Sequence, residues 1–110
     1  MTVKEITDRA LALLGYEPEN DYYRCALIYV KSILQDVENL TGEEAGDIQK
    51  ITDDVMLNER IKDTVTYGTA AFIARSVGDG DSQSYFAEIF RLKRKSLAGM
   101  GQIEDVLPAI

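Results

Sequence analysis

Residues 74–86 read ARSVGDGDSQSYF, and how this stretch is understood decides the fold. Two aspartates flank a glycine, two serines follow, and aromatics close the segment. It is a metal loop, a phosphate cradle or a joint between two helices. An EF-hand loop needs oxygen ligands at alternating positions, a central glycine and a closing glutamate. Counted from Asp79, Ser84 stands where that glycine is required and Phe90 where the glutamate is required. Counted from Val77, the first ligand is already missing. A P-loop needs a lysine and a Ser/Thr directly after its glycines, and no base follows these. The helical reading accounts for every residue. Gly78 and Gly80 permit the positive φ that ends a helix. Asp79 or Asp81, with Ser82, then caps the next one. The stretch is a joint.

Helical periodicity runs outward from it on both sides. Downstream, Phe86, Ile89, Phe90, Lys93 and Leu97 share one face of a helix from Asp81 or Ser82 to about Leu97, with Tyr85 and Leu92 at its shoulder. Lys93 can lay its aliphatic stem on that face and keep its amine in water. Upstream, Leu57, Ile61, Val65, Gly68 and Phe72 align on a helix expected to start near Asp53 or Asp54, whose charges favour a helix N-terminus. Gly68 costs about 1 kcal/mol relative to alanine in a helix interior. Its presence predicts close contact with another helix, the second being the candidate. Ala70 to Ala74 (AAFIA) is apolar nearly all round and is expected to be the most deeply buried part.

Two more helices precede these. Thr2 and Glu5 have the spacing of a capping box, and Val3, Ile6, Ala10, Leu13 and Leu14 form one stripe up to Gly15. After the turn EPEN, Asn20 or Asp21 caps a second helix that reaches about Leu40, with Gly42 just beyond. Tyr23, Ala26, Leu27, Val30, Leu34 and Val37 trace its buried face, with Ile33 at the margin. Residues 43–52 (EEAGDIQKIT) read as an acidic loop pinned by Ile48 and Ile51. After Ala98, GMGQIEDVLPAI is expected to leave the helix as a tail. The fold class is all-α: a single four-helix, bundle-like domain over residues 1–98 with an irregular C-terminal tail over 99–110.

Composition narrows the function. The 110-residue chain carries 19 acids against 12 bases, a net charge of −7, which repels nucleic acid at long range. There is no histidine, so the commonest general base and transition-metal ligand is missing. No apolar run approaches the roughly 20 residues of a membrane span. The start, MTVKEITDRA, lacks the pattern of a signal peptide. A single cysteine, Cys25, excludes an internal disulfide framework and reads as a small buried hydrophobe among Tyr22, Tyr23 and Ala26. Glu43, Glu44, Asp47, Asp53 and Asp54 read as a solvated acidic loop with a helix cap rather than a cation site. No catalytic, cofactor or metal residue is expected, and the chain is not expected to be an enzyme.

Two features stand out as interaction elements. Arg91, Arg94 and Lys95, from the run RLKRK, fall in one helical quadrant away from Phe86 and Phe90. They form either a solvated face near a helix C-terminus or an electrostatic contact with an acidic surface such as a neighbouring copy. Ile103, Val106, Leu107 and Ile110 are apolar residues of the tail. They either fold back on the bundle or dock on another chain.

The order of short motifs resembles that of small helical head–tail connector (adaptor) proteins of tailed bacteriophages and prophages. It is carried by ALALLGY at residues 10–16, ITDDVML at 51–57, YGTAA at 67–71, GDGDSQSYF at 78–86, the basic helix, and IEDVLP at 103–108. The resemblance implies a virion protein made in the bacterial cytoplasm. It implies rings of about a dozen subunits joined by heterologous contacts. Such a ring binds the portal protein on one side and a stopper or tail protein on the other, and DNA passes through without specific binding. A different class of function, a small acidic module that captures a basic protein, also fits the charge.

Overall fold

The computed structural model describes the backbone of residues 1–106 and the side chains of residues 1–98. Four helices follow in order: α1 (Val3–Leu14), α2 (Asn20–Thr41), α3 (Glu59–Ser76) and α4 (Gly80–Val106). No strand is present among the described residues, where a single isolated bridge joins Thr2 to Asp54. The all-α expectation stands. α3 lies at the centre, packed on α1, on α2 and most extensively on α4. The molecule is flat, with extents of 51 × 31 × 17 Å.

The start of α1 is fixed with unusual completeness. The first backbone N–H groups of a helix lack intrahelical acceptors and need outside ones. Thr2 Oγ1 accepts from Glu5 N, and Glu5 Oε1 accepts from Thr2 N, which is the expected capping box. The other two donors turn to the loop before α3. Val3 N donates to the Asp53 carbonyl at 3.2 Å and Lys4 N to the Ile51 carbonyl at 2.8 Å. Val55 N donates back to the Met1 carbonyl at 2.9 Å.

This clamp corrects the expected start of α3. Asp53 and Asp54 are not helical, because the backbone from Ile51 to Val55 is held against α1 by these bonds. The Asp53 carboxylate accepts instead from the N–H groups of Gln49 and Lys50, and these bonds hold its pKa below the ordinary carboxylate value. α3 begins at Glu59 under an Asn58 cap whose side chain accepts from Ile61 N. Asn20 and Asp21 likewise do not cap α2; Glu19 is the N-cap and makes no side-chain capping bond.

Ala45, Ile48, Val55 and Leu57 carry the loop into one core cluster, with Val3, Ile6, Val30, Ile33, Leu34, Val37, Ile61, Val65 and Leu97. A second cluster, Ala10, Leu11, Ala70, Ile73 and Phe86, sits beneath several tyrosines. Some expected burial is reassigned. Leu11 is inside while Leu13 is exposed, because α1 meets both α2 and α3 and its buried face turns toward both. Ile33 is fully in the core rather than at its margin. Cys25 is exposed, about 100° around α2 from buried Ala26. Within AAFIA, Ala70, Ile73 and Ala74 are buried, but Ala71 and Phe72 are only half-buried.

Four buried threonines, Thr7, Thr64, Thr66 and Thr69, complete the interior. Each hydroxyl donates to the carbonyl one turn earlier, as in Thr7 to Val3 at 2.9 Å and Thr69 to Val65 at 2.9 Å. Satisfied in this way, a hydroxyl can be buried at little cost.

Gly68 faces two helices rather than one. A Cβ there would lie 2.9 Å from two ring carbons of Phe90 on α4 and 3.0 Å from Cδ1 of Ile33 on α2. α4 also departs from expectation, because its backbone stays helical through Gly99 and Gly101 to Val106. Glycine weakens a helix but keeps its N–H, and each added residue of an established helix gains one hydrogen bond. Residues 107–110 lie outside the described ones.

The crowding at Gly68 gives a test. Gly68→Ala should lower stability by about 1 kcal/mol in urea denaturation, overpacking outweighing the gain in helix propensity. In a Phe90→Leu background the same change should become neutral or stabilising.

Candidate functional site

The basic quadrant is largely occupied by bonds within the chain. Arg94 makes a two-pronged ion pair with Asp36, Nε to Oδ2 at 2.7 Å and Nη2 to Oδ1 at 2.9 Å, and so ties α4 to α2. The Arg94 guanidinium draws the Asp36 carboxyl below its ordinary pKa. Arg91 binds Glu88 one turn earlier on α4, at 2.7 and 3.0 Å. Lys93 reaches Asp63 on α3 at 2.6 Å, with its amine 4.9 Å from the Tyr67 ring centroid, so the amine expected to stay in water is instead paired across to α3. Lys95 is exposed and forms no ion pair among the described residues. Of the three basic residues singled out for contact, only Lys95 has an uncommitted charge among the described residues. Ile103 and Val106 lie in the helical backbone of α4, and their side chains are outside the described residues. Leu107 and Ile110 are outside them entirely.

At the joint, Asp79 Oδ1 accepts from Ser82 N at 3.2 Å and so caps α4. Of its two glycines, Gly78 takes the left-handed conformation, at φ 74°; Gly80 does not and is already in the helix. The other Asp79 oxygen accepts from the Tyr16 hydroxyl. That bond ties the α1–α2 turn to the α3–α4 joint. Burial, then the bond to Asp79, push the Tyr16 hydroxyl up to about 12, while the same bond and those from Ser82 hold Asp79 below the usual carboxylate range.

The acidic residues are dispersed. No group of three or more potential ligands comes together among the described residues. Asp53 serves the loop backbone, and Asp47 accepts from the Gln49 amide at 2.7 Å. Among the described residues, no helix is long and apolar enough to cross a membrane.

One surface feature escaped the sequence reading. An apolar groove of about 210 Å³ runs between α3 and α4. Gly68, Ala71 and Phe72 line its α3 side, Gln83, Ala87 and Phe90 its α4 side, and exposed Arg75 also borders it. Phe72 is braced by Tyr29 of α2, the rings stacked 5.3 Å apart at 9°. Its signal in the sequence is the run of small residues, Gly68, Ala71 and Ala87, on facing helices.

No protein family matches the chain, and neither does any curated protein or solved structure.

Two measurements follow. Ultraviolet difference titration of wild type against Tyr16→Phe should place Tyr16 at about 12, with circular dichroism confirming that the fold persists. A folded-state pKa above the ordinary value stabilises below that value, so this contribution is lost as pH rises from 10.0 through about 12. Asp79→Asn should bring Tyr16 only partway back, since burial is the larger cause. A double-mutant cycle on Asp36 and Arg94 should give a coupling below about 1 kcal/mol, because solvent screens the pair. Both side chains are some two-fifths exposed.

Proposed function

We propose that this chain is a head–tail connector protein of a tailed phage or prophage, a ring subunit between the portal and a stopper or tail protein. The observation that carries this reading is the order of short motifs along the chain, from ALALLGY at residues 10–16 to IEDVLP at 103–108. A ring subunit meets its two neighbours through different surfaces, as a head-to-tail, cyclically closed contact requires. The longest helix, α4, runs the 27 residues from Gly80 to Val106 and gives the subunit the length to do so.

Charge supports the role of a channel that DNA passes without binding. The chain is at −7, and six of its twelve bases, Lys4, Arg24, Lys62, Arg91, Lys93 and Arg94, are paired with carboxylates. The pairs halve the cations that could exchange for the counterions of phosphate, and the net negative field opposes the rest. The protein is accordingly a structural component of the virion, made in the bacterial cytoplasm, and not an enzyme.

Light scattering on a sizing column, with native mass spectrometry of each peak, tests this. Rings of about a dozen copies are the expected result, either alone or on addition of the portal protein as template. A tight dimer at every concentration, unmoved by portal, would overturn the reading and favour the small acidic module that captures a basic partner.

A further inference from the structure

We infer that the groove between α3 and α4 is the seat of the C-terminal segment of a second copy of this chain, residues 103–110. The inference deepens the connector reading and rests on it only for the closure of copies into a ring.

The sequence of that segment, IEDVLPAI, places Ile103, Val106 and Leu107 at the i, i+3 and i+4 spacing with which an amphipathic helix anchors in an apolar groove, while Pro108 ends the helical pattern ahead of a further apolar residue, Ile110. Glu104 and Asp105 lie between these anchors. On the receiving side, the walls are Ala71, Phe72, Ala87 and Phe90, with one polar side chain, Gln83, on the α4 side. Arg75 at the rim is exposed and makes no ion pair among the described residues. An apolar trough with one uncommitted cation at its edge complements an apolar stripe flanked by two acids.

The chain cannot fill this groove with its own segment. Ala87 and Val106 are on one continuous helix. At the rise of an α-helix they are separated by about 28 Å along its axis. Residues 107–110 span at most about 14 Å when fully extended. They cannot return to Ala87. A 103–110 segment seated there comes from another copy, and passed on in one direction, as the ring reading requires, the contact propagates from copy to copy.

Disulfide trapping in the full-length chain tests the docking. With Cys25→Ser removing the native thiol, Ala87→Cys and Ile103→Cys are combined in one chain and oxidised mildly. The two cysteines lie about 24 Å apart on the same helix, far beyond disulfide reach, so any bond between the two positions joins different chains. The expected result is a reducible ladder of trimers and higher species, where either single-cysteine variant stops at dimer. Ala87→Trp, at an exposed position, should keep native circular dichroism. It should raise the concentration needed for self-association about tenfold or more, through loss of an aliphatic anchor. Rings without a ladder, unaffected by Ala87→Trp, would overturn the docking and leave the connector reading standing. A ladder without closed rings, with or without portal, would keep the docking and remove the connector. Neither ladder nor self-association, with or without portal, would sink both.

Discussion

The clamp between the first turn of α1 and the backbone at 51–55 is the constraint on which the rest of the structure depends. Val3 and Lys4 donate to the carbonyls of Asp53 and Ile51, and Val55 donates back to Met1. Those bonds satisfy the helix start without water and bring Val3, Ile48, Val55 and Leu57 into one cluster. They also set where α3 begins. Once residues 51–55 are bound to α1, the next usable cap is Asn58, and the register of α3 against α1, α2 and α4 follows from there.

α3 can serve as the central helix because it is lean and its polar side chains look after themselves. Thr64, Thr66 and Thr69 hydrogen-bond to their own helix, and Gly68 lets Phe90 and Ile33 close over the backbone. A helix that looks half polar in sequence thus packs on three sides. At the other end of the molecule, Tyr16 and Asp79 join the two turns, so the helical pairs α1–α2 and α3–α4 are linked at both ends.

How far the sequence could be read varies with the range of the interactions concerned. The capping box at Thr2, the C-caps at Gly15 and Gly42, and the joint at Gly78–Asp79 depend on neighbours a few residues apart, and all were legible. The start of α3 was not, because Asp53 and Asp54 fit a helix N-terminus locally and only the distant partner at Val3 decides otherwise. The same holds for the candidate contact residues. Arg94 reads as an exposed cation until Asp36, on α2, is placed beside it. The groove was illegible for a related reason: small residues on one helix are a gap only when the facing helix also carries them. Cys25 shows that a small apolar residue next to a buried position can still face outward.

The flat shape and the long run of α4 leave a signature in the ratio of surface to mass. The chain has a mass of 12.3 kDa. A compact monomer of that mass has an accessible surface of about 6100 Å². This chain exposes 6695 Å². The excess, about a tenth, is what a body only 17 Å thick carries over a rounder one of equal mass.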